Sequence, residues 1–116
     1  MLKNKNIIIR VDFNVPLHNK KILNTFRIDK TIPTIINCIE ANPKRIIIIS
    51  HLGRPNGVVV PALSLKIILP YLEEQLDTKI DFCNLENINK SKSKIILLEN
   101  IRFYPEEESK IINEKV

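Results

Sequence analysis

The sequence predicts an α/β protein: a partial three-layer α/β/α, Rossmann-like parallel sheet of about four strands. Three observations carry this. Nearly unbroken apolar, β-branched runs stand at residues 7–11, 45–49 and 95–98. Runs of that kind read as strands covered on both faces, as in a parallel sheet. Stretches with helical spacing of apolar residues lie between them, and each run stops at a loop of turn-forming and ligand-capable residues.

Residues 6–11 form the first strand, apolar apart from Arg10. Residues 12–27 form a loop in which Pro16 and Asn19-Lys20 mark turns. A helix begins near Asp29, whose carboxylate can cap it, with Pro33 tolerated in the first turn. Ile32, Ile35, Ile36 and Ile39 share one face, and Asn42-Pro43 ends the helix. Residues 45–50 form the second strand and close a β-α-β unit.

Ser64 can cap a second helix running to about Gln75, with Leu65, Ile68, Leu69 and Leu72 as its buried stripe. Pro70 falls inside it and costs about 3 kcal/mol unless the helix kinks or starts late. Residues 79–83 form a short third strand and residues 94–98 the fourth. The polar, Asn/Lys/Ser-rich stretch 84–94 between them is near the minimum length for a parallel crossover. Pro105 and the three glutamates after it open a last helix, their carboxylates favourable at its N-terminal dipole. The sequence stops at Val116, before that helix is complete.

The 116 residues amount to a single partial domain over 1–116, able to bury roughly two thirds of its unfolded surface with a complete sheet. The formal charge is +5, but the lysines are scattered, with no Arg/aromatic stripe. That argues against nucleic acid as a partner. Cys38 and Cys83 sit in apolar segments without C-x-x-C spacing and read as reduced, buried thiols. His18 and His51 are too far apart in sequence to argue a zinc site. No apolar run reaches membrane-spanning length, and Met1 leads into a polar stretch rather than a signal peptide. A cytoplasmic location is expected, with no membrane partner.

The loops after the strands carry the chemistry. Arg54 and Arg102 lie just past strand ends, and Arg27 ends the long loop after strand one. A guanidinium grips phosphate or carboxylate with two parallel hydrogen bonds, which lysine cannot do. Three such groups along one rim suggest a small polyanion; singly, each could equally make a surface salt bridge. Asp12 and Asn14 alternate beyond strand one and can face one crevice, suiting a hydroxyl and a carboxylate, although both residue types also favour turns. His51 is either a structural histidine or, beside Arg54, a donor to a phosphate oxygen. Glu99 and Asn100 are read as orienting the Arg102 loop, and residues 106–108 as solvated helix-start charges.

Together RVDFNVP, SHLGRP and LLENIRF resemble, in order, the amino-terminal half of phosphoglycerate kinase, over residues 2–108. The resemblance implies phosphoryl exchange between ATP and the carboxylate of 3-phosphoglycerate in glycolysis. It places Asp12, Asn14 and Arg27 at the acid's carboxylate and hydroxyl, with Arg27 as the catalytic residue that steadies the transferring phosphoryl. His51, Arg54 and Arg102 match the site for the distant 3-phosphate. The implied partners are 3-phosphoglycerate or 1,3-bisphosphoglycerate and the C-terminal part of the enzyme. Mg-ATP or ADP binds, in the family, on a second lobe with a glycine-rich site. Here the only glycines are Gly53 and Gly57, so no cofactor is expected on this chain and no turnover by it alone.

The family's strand order puts strand one in mid-sheet, so residues 7–11 should form an exposed apolar edge here. Three departures from the family stand out: the shortened stretch 84–94, Asn24-Thr25-Phe26 before Arg27, and a proline at 70 rather than at Ile67. The alternative function is a standalone anion-binding or interaction module without catalysis. A basic RNA binder is a third class, marked by steep salt dependence.

Overall fold

The computed structural model describes residues 3–53 and 57–104. In chain order these form β1 (Asn6–Arg10), β2 (Leu17–His18), β3 (Lys21–Ile22), α1 (Phe26–Glu40), β4 (Arg45–Ile49), α2 (Leu69–Leu76), β5 (Asp81–Cys83) and β6 (Ile95–Leu98). Among the described residues β1, β4, β6 and β5 build one four-stranded sheet, in that spatial order and parallel throughout. The isoleucine runs are thus parallel strands, as expected. Their register sets Ile8 beside Ile47 and Ile47 beside Ile96.

Alternation along the strands divides the core between the two faces of the sheet. Ile46, Ile48, Ile95 and Leu97 share a core with Ile28 and Ile35 of α1, Leu72 of α2 and Ile68 just before α2. Ile49 and Leu98 point the other way and meet Ile101, Leu85 and Ile88. β1 lies at an edge of the sheet, with Ile8 41% exposed. The apolar edge expected for strand one is therefore present.

Three local expectations need correction. The helix begins at Phe26 rather than Asp29, so Arg27 stands in its first turn instead of ending a loop. Asp29 is not the N-cap: Thr25 holds that position, and its Oγ1 donates to Asp29 Oδ2 at 2.8 Å. Pro33 consequently lies inside the helix, beyond the first turn, and Asp29's carbonyl loses its regular i+4 donor. The loop before α1 also contains a small hairpin, β2 paired with β3. Its turn, Asn19-Lys20, has φ of 50° and 62° at the two residues, the left-handed pair that a two-residue hairpin requires.

The second helix starts late. Residues Leu65–Ile68 form a 3₁₀ turn, capped by Ser64 Oγ accepting from the Lys66 amide at 3.2 Å. The α-helix proper opens at Leu69, so Pro70 occupies a first-turn position where its missing N–H removes no bond. The stretch 84–94 holds only a 3₁₀ turn at Ile88–Lys90. Polar ties fix it instead: Arg45 Nη2 donates to the Ser91 carbonyl at 2.6 Å, and Ser91 Oγ donates to Asp81. Cys83 is buried and Cys38 half-buried, both as free thiols. The helix expected from Pro105 lies outside the described residues.

Candidate functional site

Three loops leave the carboxyl ends of β1, β4 and β6 on one rim of the sheet, the position where open α/β sheets take ligands. Backbone and side-chain hydrogen bonds sew them together. The Phe13 amide donates to Ser50 Oγ at 2.9 Å, and the Ile101 amide donates to the Ser50 carbonyl at 3.1 Å. Ser50 is 1% exposed and so joins all three loops from beneath.

Asn100, fully buried, braces the rim from the β6 side. Its Nδ2 donates to the carbonyls of Leu52 at 2.7 Å and Leu63 at 2.9 Å, while Oδ1 accepts from the Arg102 amide. Glu99 accepts from Ser64 Oγ and the Leu65 amide, which pins the start of the 3₁₀ turn. Both residues therefore orient loops, as their sequence position suggests. Gly53 has φ +64°, and a Cβ there would stand 2.8 Å from Leu63 Cδ2. The left-handed φ favours glycine here, and a Cβ would also push the tip of Leu63 aside.

Asp12, Asn14 and Arg27 come together on the β1 side of the rim. Arg27 Nη1 donates to the Asn14 carbonyl at 2.8 Å and lies 3.6 Å from Asp12 Oδ1. The Asn14 amide donates to the same Asp12 oxygen at 3.1 Å, and Asn14 Oδ1 accepts from the Gly53 amide at 2.9 Å. So Asn14 is both a turn residue and a joint between loops. A cleft of about 410 Å³ opens beside them, lined by Asp12, Phe26, Arg27, Lys30 and Thr31.

His51 is half-buried and follows Ser50 directly; Arg102 is half-buried and follows Ile101. The Ser50–Ile101 hydrogen bond thus brings their backbones to adjacent places on the rim. The Arg102 carbonyl also accepts from the Gly57 amide at 2.9 Å. Arg54 lies outside the described residues. The sequence reading missed Lys30, Phe26 and Thr31, because starting the helix at Asp29 hid the face they share with Arg27. It also passed over Ser50, although a serine closing an isoleucine run was the available signal.

Two hydroxyls near these loops are perturbed. Hydrogen bonding to Asp29 raises the Tyr71 pKa above its ordinary 10.0, because the protonated hydroxyl is the donor. Burial raises that of Tyr104, whose Oη accepts from the Leu85 amide. Among the described residues no group of three His, Cys, Asp or Glu side chains could hold a metal ion. No helix among them is long and apolar enough to cross a membrane.

Comparison with known proteins fits this geometry. The family model for phosphoglycerate kinase matches residues 1–115. A phosphoglycerate kinase of Tetrahymena thermophila is 46% identical over 120 residues, covering 97% of this chain and 29% of its own. The Paramecium primaurelia enzyme is 48% identical over 107 residues, covering 86% of this chain and 29% of its own. Among solved structures, phosphoglycerate kinase from Coxiella burnetii superposes with a TM-score of 0.78 at 38% identity, covering 89% of this chain and 27% of that one. The chain spans less than a third of the length of the relatives it matches. It belongs to the phosphoglycerate kinase family.

Proposed function

We propose that this chain supplies part of the 3-phosphoglycerate site of a cytoplasmic, glycolytic phosphoglycerate kinase. In that reading Asp12, Asn14 and Arg27 take the carboxylate and hydroxyl end of the acid. Arg27 is the catalytic residue, steadying the phosphoryl group as it moves between ATP and the carboxylate. His51, Arg54 and Arg102 take the distant phosphate.

The observation that carries the reading is Arg27 anchored to the β1 loop, at 2.8 Å from the Asn14 carbonyl. A guanidinium held by a carbonyl keeps its remaining N–H groups aimed and ready, which is the positioning on which phosphoryl transfer depends. Asp12 within 3.6 Å offers an acceptor for the acid's hydroxyl beside that donor.

Mg-ATP or ADP is assigned to the part of the relatives that this chain does not match. The C-terminal part of such an enzyme is the expected partner, and the 116-residue polypeptide by itself should give no turnover in a coupled assay.

Titration of the isotopically labelled chain with 3-phosphoglycerate tests the site. Chemical-shift changes centred on Arg27, His51, Arg54 and Arg102 are expected. Steeply salt-dependent binding of any polyanion, without preference for the triose acid, would refute it.

A further inference from the structure

The cleft beside Arg27 holds a second cation. Phe26, Arg27, Lys30 and Thr31 fall on one face of the first turns of α1, at the spacing that makes helical side chains neighbours. All four line the cleft with Asp12.

Charge singles out Lys30. Arg27 and Asp12 lie 3.6 Å apart and largely cancel as a pair. Asp29, next to Lys30 in sequence, is engaged by Thr25 Oγ1 and Tyr71 Oη. Lys30 makes no ion pair among the described residues; its Nζ stands 5.5 Å from the centroid of the Phe26 ring. Lys30 therefore gives the cleft its net positive charge. The positive end of the α1 dipole adds to it.

An exposed ammonium over an aromatic ring is weakly held. A phosphoryl oxygen offers a charge-assisted hydrogen bond, which is stronger, so an anion in the cleft draws the ammonium off the ring. A free carboxylate is within the scope of the N–H donors that Arg27 does not give to Asn14, and it leaves Lys30 where it is.

We propose that Lys30 is a specificity residue of this cleft: its ammonium takes a phosphoryl group on the carboxyl end of the acid. It thereby distinguishes the acyl phosphate from the free carboxylate. This rests on the acid-site reading above. Phe26 has a supporting part, holding the ammonium at the cleft mouth while the phosphoryl group is absent.

The test is calorimetric titration of the 116-residue chain with 3-phosphoglycerate and with a non-hydrolysable phosphonate analogue of its acyl phosphate. The chain should prefer the analogue. Lys30→Met should weaken the analogue by about fivefold, the upper end for an exposed ion pair, and 3-phosphoglycerate by less than about twofold. Lys30→Arg should restore the preference. Circular-dichroism melts of each variant verify that the fold is kept. A preference that survives Lys30→Met overturns the proposal, as does equal weakening of both ligands or no preference in the parent chain. If the parent chain binds neither ligand, the acid-site reading itself falls and this inference falls with it.

Discussion

Asn14 Oδ1 accepts the backbone N–H of Gly53 at 2.9 Å, joining the loops after β1 and β4 across 39 positions of sequence. The carbonyl of the same asparagine holds Arg27 Nη1 at 2.8 Å. One residue thus sets both the spacing of two loops and the seat of a guanidinium.

Asn14→Ala should therefore cost about 1 kcal/mol of stability, the usual worth of a half-buried neutral hydrogen bond. Its effect on 3-phosphoglycerate should exceed the stability loss, because the Gly53 loop is released while Arg27 keeps its carbonyl partner. Urea melts and the amide shift of Gly53 check the tie. An unmoved Gly53 resonance would mean that the bond does not form in solution.

Asn100→Ala should be more damaging. Two carbonyls, of Leu52 and Leu63, lose a donor, and the Arg102 amide loses its acceptor, around a side chain that is 0% exposed. Buried groups left unpartnered cost about 1–3 kcal/mol each, so a loss of at least about 2 kcal/mol is expected. Asn100→Asp should not rescue it, since a carboxylate offers acceptors where two carbonyls need donors. A midpoint unchanged in urea would contradict this account of the rim.

Alkaline pH should weaken the tie between the two helices. Tyr71 on α2 donates to Asp29 on α1, and its pKa lies above the ordinary 10.0, the Asp29 hydrogen bond being the first cause. A pKa raised on folding means stability fully present below the unfolded value and lost as pH rises through the folded one. The window therefore opens near pH 10 and extends upward. Cys83, raised above its ordinary 9.0 by burial, adds a loss of the same sign from about pH 9. Tyr71→Phe should flatten the alkaline limb of a stability–pH profile. A parallel downward shift with unchanged slope would deny the linkage.

The edge formed by β1 makes a solubility prediction. Ile8, 41% exposed, sits mid-strand beside Ile7 and Ile9 on an edge that is unpaired among the described residues. Such edges promote pairing between molecules. Ile8→Lys should lower concentration-dependent association in sedimentation while changing the melting temperature little. Unchanged association would shift attention away from β1.

The sheet was readable from sequence because three of its strands, β1, β4 and β6, are built on runs of Ile and Leu, and buried strands of a parallel sheet announce themselves by that uniformity. The rim was readable from its motifs. What escaped were the places where a short-range rule met a competing one. Pro33 suggested a helix start nearby, yet the helix passes through it, because Ile28 and Ile35 are both wholly buried and hold the two turns in place. Hiding the true start also hid Lys30. Pro70 raised a conflict that the chain resolves by winding the preceding residues as a 3₁₀ turn. The hairpin at residues 17–22 was too short for alternation to reveal, although its turn residues were evident.

The internal sewing of the rim has a further consequence for how it can hold a ligand. The amides of Phe13, Asn14, Gly53, Gly57, Ile101 and Arg102 each donate within the protein. Loops that cradle phosphate in backbone nests leave such donors pointing outward; here they are already engaged. In the proposed acid site these six amides are therefore taken up by the scaffold, and the contact with an anion passes to side chains such as Arg27 and Arg102. Affinity and selectivity can then be retuned by exchanging single side chains, without reshaping the main chain beneath them.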